Sequence, residues 1–268
     1  MSQEHETELG HQNLIAYNRA ATQWSAKGSL HEDGGALLYA GGSWIPVVGN
    51  GAFLTDNEVA PTELLAQAEA YFARRKRGYG VKVRDTGQDA GLAEACDAHG
   101  LVAFGDPTPQ MICHQRLEAH PLPDGIALRA VHDERGVADF AAVNADAYAT
   151  YGMPAEVFVD MFDRPARLLA DPDTIVVVAY QGERPVATAL TYMHGGVGGL
   201  QWVGTIAEAR GQHLGWVVTE WATNVAFDRG ASSVTLQASP MGVPLYAKMG
   251  YQTLHHYREY VRWDAPTA

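Results

Sequence analysis

The chain of 268 residues predicts an α/β protein (α+β by some schemes). Three observations carry that expectation. Short runs rich in β-branched and aromatic residues alternate with stretches of helical periodicity along the whole length. Glycine-bearing turns, such as Gly41-Gly42 and Gly182-Glu183, punctuate the runs. From Leu200 to Phe227 the residues read as a strand, a short glycine-bearing loop and a helix. Leu200, Trp202, Val203, Thr205 and Ile206 give the strand, and Val217, Val218, Trp221, Ala222, Val225 and Ala226 give the helix.

Taken in order, His11 to Ala26 forms a first helix through Leu14, Ile15, Tyr17 and Ala21. Ala36 to Tyr39 and Ser43 to Val48 are two short strands joined at Gly41-Gly42, and Gly49-Asn50-Gly51 is a further turn. Pro61 to Arg75 is a helix with proline in its first turn. The basic run Arg74-Arg75-Lys76-Arg77 at its end complements the helix dipole. Tyr79 to Val83 is a strand, and Ala90 to His99 is a helix capped by Gly100. Leu101 to Phe104 and Gln110 to His114 are strands. Leu117 to Asp124, with Pro121 and Pro123, is a linker. It divides the chain into residues 1–120 and 125–268.

Beyond the linker, Ile126 to Val131 is a strand, and Glu134 to Tyr151 and Pro154 to Leu169 are helices. Thr174 to Tyr180 and Pro185 to His194 are strands. Gly195 to Gly199 is a glycine-rich turn into the Leu200 strand. Then follow a strand Ser233 to Ser239, a helix Met241 to Met249 and a last strand Tyr251 to Arg262.

Composition excludes several classes. Hydrophobic residues make up 47% and the net charge is −12, which fits a folded chain and argues against nucleic-acid binding, since phosphate backbones demand Lys and Arg. Two cysteines, Cys96 and Cys113, imply a reducing compartment. The polar start, Met1 to Glu8, carries no leader pattern, and no apolar run is long enough for a membrane. A cytoplasmic location is expected. No Cys or His pair has zinc spacing, so no metal is expected.

Arg210 to Gly215 (Arg210-Gly211-Gln212-His213-Leu214-Gly215) would point backbone N–H groups out of a helix N-terminus, where orphan amides and the dipole favour an anion. This run resembles the pyrophosphate loop of the GNAT superfamily of N-acetyltransferases, Arg/Gln-x-x-Gly-x-Gly/Ala. Pro244-Leu245-Tyr246-Ala247-Lys248-Met249-Gly250-Tyr251 resembles its second motif, Leu-Tyr-x-Lys-x-Gly-Phe/Tyr. The two stand in the family's order with one strand between them, and the β-α-α-β-β-β-α-β-α-β order from Ile126 to Trp263 is that of the GNAT fold. The resemblance departs at His213, where the family usually has glycine. Histidine reaches the required conformations only at a cost.

The resemblance implies a mixed central sheet flanked by helices in the C-terminal half. It also implies acetyl-CoA as acyl donor and transfer to a primary amine in a ternary complex. Val203, Gly204 and Thr205 would offer backbone groups to the pantetheine arm, and Arg210, Gly211, Gln212, His213, Leu214 and Gly215 would cradle the diphosphate. Ser239 would lie near the cofactor, and Tyr246 would protonate the leaving thiolate. The base stays open among Tyr192, His194, the neighbours of Trp202, Glu208, Glu156, Asp160 and Asp163. Trp202, Trp216 and Trp221 read as core.

A fainter echo relates the halves. Helix, Arg77-Gly78, strand, helix, Gly100, strand matches helix, Arg229-Gly230, strand, helix, Gly250, strand, and lays Cys96 on Tyr246. No Arg-x-x-Gly-x-Gly loop precedes Pro61. The first half is therefore expected to be a smaller, degenerate GNAT-like domain. It would shape the acceptor site, provide a homodimer surface or stabilise its partner. The alternative function is a non-catalytic CoA-binding regulator or scaffold. A longer-chain acyltransferase is a third reading.

Overall fold

The computed structural model describes residues 2–46, 48–56 and 59–264. In the first half, α1 (Gln3–Gln23) is followed by β1 (Ser29–Asp33), β2 (Ala36–Ala40), β3 (Asn50–Leu54), α2 (Pro61–Arg75), β4 (Tyr79–Arg84), α3 (Leu92–Ala98) and β5 (Val102–Cys113). The second half comprises β6 (Ile126–Ala130), α4 (Glu134–Ala149), α5 (Ala155–Met161), α6 (Pro165–Ala170), β7 (Thr174–Gln181), β8 (Arg184–His194), β9 (Val197–Thr205), α7 (Leu214–Asp228), β10 (Ser233–Gln237), α8 (Val243–Lys248) and β11 (Gln252–Arg262).

All the strands form one mixed sheet in the order β1-β2-β3-β4-β11-β5-β10-β9-β8-β7-β6. The β3–β4 and β9–β10 pairs are parallel and every other pair is antiparallel. Apart from β6 at one edge, the order is symmetric about the β11–β5 junction, and the two halves exchange their last strands there. β5, from the first half, pairs with β10, and β11, from the second, pairs with β4. The echo read in the sequence is thus an echo of topology: α2 and α7 each have 15 residues and each follows the strand that opens a parallel pair.

Several elements differ from the sequence reading. Residues 43–46 and 48 form a loop, and Val47 of that expected strand lies outside the described residues. The strand falls instead on Asn50–Leu54, whose first two residues read from sequence as part of a turn. β1 was not foreseen, and the two strands expected between Leu101 and His114 are one, bent at irregularities in its pairing with β11. The expected single helix from Pro154 to Leu169 breaks at Phe162–Arg164 ahead of Pro165, because proline disfavours helix in the residue before it. The basic run after α2 is tied to nearby oxygens: Arg75 to Tyr71 and Ser29, Arg77 to the Gly41 carbonyl.

The halves share a core. On one sheet face, α1, α4 and α5 bury Leu14, Ile15, Tyr17, Phe140 and Phe158 against Leu37, Phe53, Val178, Leu190 and Tyr257. α7 covers the other face of the second half through Leu214, Val218, Ala222 and Ala226, and α2 covers the first half through Leu64, Leu65, Ala68 and Phe72. The glycines read as a turn before Leu200 explain how close these helices come. Only Gly195 and Gly196 form the turn, both at positive φ. Gly198 and Gly199 lie within β9, where a Cβ on Gly198 would stand 2.8 Å from the Ala226 methyl and one on Gly199 would stand 1.9 Å from Asn13 Oδ1. Asn13, buried on α1, donates from Nδ2 to the Tyr192 and Val197 carbonyls at 2.9 Å. Gly199→Ala should therefore lift α1 and cost about 2 kcal/mol or more, given the ~1–3 kcal/mol of overpacking plus a strained buried amide. A melting temperature within a degree of the parent would refute this packing account.

A buried polar layer also pins α1. His11 Nδ1 lies 2.9 Å from the Tyr257 hydroxyl, and Arg84 joins Asp89 on its own side to Glu8 of α1. His255 is buried, and neither of its ring nitrogens has a hydrogen-bond partner among the described residues. Burial foremost, and then the Arg84 charge and His255, hold the His11 pKa well below its ordinary 6.5. Burial lowers that of His255 as well. The unfolded chain binds these protons more readily than the folded one, so the stabilisation is complete above about pH 6.5 and is lost as pH falls toward the depressed folded values. Thermal melts should show the protein less stable at pH 5 than at pH 7.5. His11→Gln should flatten that slope, and an equal slope in both proteins would exclude His11 as its source.

Candidate active site

The cleft is built where two parallel strands part. β9 and β10 pair from Val197↔Ser233 only as far as Leu200↔Leu236. Beyond that point β9 carries a bulge: three steps from Gln201 to Gly204 oppose two steps of β8 from Leu190 to Thr188. Trp202, inside the bulge, has φ 52°. That left-handed conformation normally suits glycine and costs about 1–3 kcal/mol here. The indole is fixed by donating from Nε1 to the Tyr17 hydroxyl of α1 and by edge contacts with Tyr148 and Phe158. A bulge removes ladder partners, so backbone groups of β9 face the gap instead of β10.

The cleft encloses about 310 Å³, and among its lining residues are Tyr148, Trp202, Val203, Gly204, Thr205 and Tyr246. Of the residues singled out by sequence, Arg210, Gly215 and Ser239 also line it. Gly211, Gln212 and His213 are exposed at the start of α7, and Leu214 turns into the core. His213 is the residue preceding α7, with φ 59° and ψ 14°, and Gly211 has φ 78°. The loop therefore keeps a left-handed residue where the family usually has glycine, with histidine bearing the strain. The Arg210 guanidinium reaches back to the Ala147 carbonyl (3.1 Å) and Thr150 Oγ1 (2.8 Å) at the C-terminal end of α4, where a cation is favoured. It ties the loop to the cleft wall.

Gly204 has a reason beyond the bulge. A Cβ there would meet the Ala147 methyl at 3.0 Å and Asn144 Oδ1 at 3.2 Å, so glycine lets α4 seat on β9. Gly242, which sequence reading passed over, holds the same kind of place beside Tyr246: a Cβ would stand 2.6 Å from its ring. Ser239 Oγ accepts from the Gly242 amide at 3.2 Å, which shapes the turn into α8. Tyr246 itself is buried on the cleft wall, and burial, with a smaller contribution from Tyr151, holds its phenol above 10. Trp202 belongs to the wall of the cleft and is not simply core. Trp216 meets His120 edge to face.

Of the candidate bases only the neighbours of Trp202, Gln201 and Val203, line the cleft, and neither side chain titrates. Asp160 pairs with Lys27 at 2.8 Å, Asp163 Oδ1 accepts from the Ala26 amide at 2.6 Å, and Glu208 pairs with Arg184 at 2.5 Å. Glu156 is exposed on α5. Tyr192 and His194 border a separate hollow between α1 and α6. Sequence spacing placed these groups on helices and strand ends, but only the packing shows which way those ends face.

Residues 140–251 match the family model described as Acetyltransferase (GNAT) family. Over 102 residues the chain is 32% identical to the uncharacterised N-acetyltransferase YjcF of Bacillus subtilis, which covers 37% of this chain and 73% of that one. The chain belongs to the GNAT family. Its fold agrees with that of a GCN5-related N-acetyltransferase from Kribbella flavida, with TM-score 0.70, 20% identity, and 97% and 96% of the two chains covered. It also agrees with that of a tandem GNAT protein from the clavulanic acid biosynthesis pathway, with TM-score 0.60, 11% identity, and 91% and 85% covered. The bulged strand, the splay and the loop before α7 are thus parts of a GNAT acyltransferase, a family that transfers acyl groups from acetyl-CoA. Among the described residues, no group of side chains that could hold a metal ion is present, and no helix is long and apolar enough to cross a membrane.

Proposed function

We propose that this protein transfers the acetyl group of acetyl-CoA directly to a primary amine, of a small molecule or of a peptide or protein, within a ternary complex. The observation that carries the reading is the opening of β9 from β10 beyond Leu200↔Leu236, beside the N-terminus of α7. The diphosphate would sit on the amides from Arg210 to Gly215. The pantetheine arm would pair with Val203, Gly204 and Thr205 as an added strand. A β9 amide near Val203 would polarise the thioester carbonyl, Ser239 would stand along the arm, and Tyr246 would give its proton to the departing sulfur.

Residues 125–268 are proposed as the catalytic copy and residues 1–120 as its degenerate partner, since Cys96, buried and with its thiol pushed up to about 12 by burial, takes the place of Tyr246. A cytoplasmic setting without nucleic acid or membrane fits the charge and cysteine content. His213 in the loop supports one alternative, a CoA-binding regulator or scaffold without turnover. Calorimetry with CoA, a structure with CoA bound, and release of free thiol from acetyl-CoA with an amine panel test both. Binding with turnover supports the enzyme, binding alone the regulator. CoA bound away from Arg210 to Gly215 would refute the placement.

A further inference from the structure

We infer that the acceptor is a weakly basic amine, uncharged at neutral pH and carried on a flat aromatic frame. The inference rests on the acetyl-transfer reading and deepens it. Among the described residues lining the cleft there is no Asp, Glu, His or Lys; the one charged side chain is Arg210, which is tied to the end of α4. Rings wall part of the cleft. Tyr148 and Trp202 meet edge to face at 5.3 Å, and Tyr148 and Tyr151 lie at 5.9 Å. Met241 completes the rim. The Trp202 indole is locked by its bulge and by Tyr17. Fixed, flat, apolar walls complement a planar ring.

Proton balance selects the same class. When a neutral amine attacks, nitrogen bonds to the acetyl carbon, the carbon–sulfur bond breaks, and the thiolate takes one proton. Nitrogen must shed one proton as it becomes an amide. Tyr246 can give the first and recover the second, so the exchange closes within the cleft and no further base is required. An alkylammonium carries one proton more, and nothing lining the cleft accepts it. The phenols do not, because burial holds Tyr148 and Tyr246 above the ordinary tyrosine value of 10. A lysine-like amine with pKa near 10.4 is neutral in only roughly one molecule in 2,500 at pH 7. Bringing it in charged would place a cation where no lining carboxylate among the described residues can pair with it. The net charge of −12 attracts cations to the surface, but none of its carboxylates lines the cleft.

The test uses the full chain with CoA bound, aniline-type amines and alkylamines of matched carbon number, and calorimetry from pH 6.5 to 9. At pH 7 the arylamines should bind at least tenfold more tightly. Alkylamine affinity and turnover should rise tenfold per pH unit toward the amine pKa, while the arylamine values stay level. Tyr151→Ala, at the exposed edge of that wall, should raise the arylamine KM more than it changes kcat. Alkylamines that bind equally well at pH 7 with a level pH profile would overturn the acceptor class alone, whereas CoA binding with no acceptor turned over would favour the regulator and overturn the acetyl-transfer reading as well. Failure to bind CoA would overturn the acetyl-transfer reading and this inference with it.

Discussion

Removing residues 1–120 is expected to leave a chain that does not fold. The proline-bearing linker suggests a separable second half, but the sheet is continuous through the exchanged strands. Without β5, β10 loses its antiparallel partner from Gln110 to Cys113, and β11 loses β5 on one side and β4 on the other. One edge of β10 and both edges of β11 would then be unpaired, a ready template for aggregation. The loss of α1 uncovers the face formed by Leu190, Tyr192 and Trp202, against which Leu14, Ile15, Tyr17 and Trp24 now pack. Burial of four such side chains contributes about 1.5–3 kcal/mol each, which already matches a total stability of ~5–15 kcal/mol. Expression of residues 121–268 should yield insoluble material or a chain without a cooperative melt. A soluble, cooperatively melting fragment that turns over acetyl-CoA would show that the exchanged strand is dispensable.

Tyr246→Phe should lower kcat about a hundredfold or more, the lower end of what a positioned general acid contributes, and leave CoA affinity unchanged. The substitution keeps the ring that fits beside Gly242 and removes only the proton donor. Because burial raises the phenol pKa, the wild type keeps that proton at every pH up to 10, and its kcat should show no alkaline fall from this group below that value. The variant should melt within a degree or two of the parent, since the ring and its packing beside Gly242 are kept. Unchanged turnover would remove Tyr246 from the chemistry, whereas a lost affinity for CoA would make it a binding residue.

Much of the fold was legible because it is local. The bulk of α7 follows from its apolar spacing, β7 and β8 from their β-branched runs, and the end of α3 from Gly100 at φ 75°. The candidate site was legible where family motifs mark it: Arg210, Gly215 and Tyr246 stand on one cleft. Trp202 was read as core because an aromatic residue in a strand gives no sign that its own backbone will bulge. Gly242 was missed because its role is space for a ring, and only the seated Tyr246 reveals that. The titratable candidate bases were plausible by type, yet each is turned toward another partner or away from the cleft.

The sequence by itself determined most helices and strands of the second half, the Arg210–Gly215 and tyrosine motifs, and the echo between the halves. These depend on residues near one another in the chain, through dihedral preference, capping and periodicity. The tertiary structure decided which strand completes which half, that α1 of the first half holds Trp202 through Tyr17, and that no carboxylate among the described residues lines the cleft. Strand pairing and the facing of side chains are settled by contacts between residues about 100 to 250 positions apart, such as Asn13 with Tyr192 and His11 with Tyr257. Such contacts form only when the whole sheet is assembled, and no local pattern encodes them.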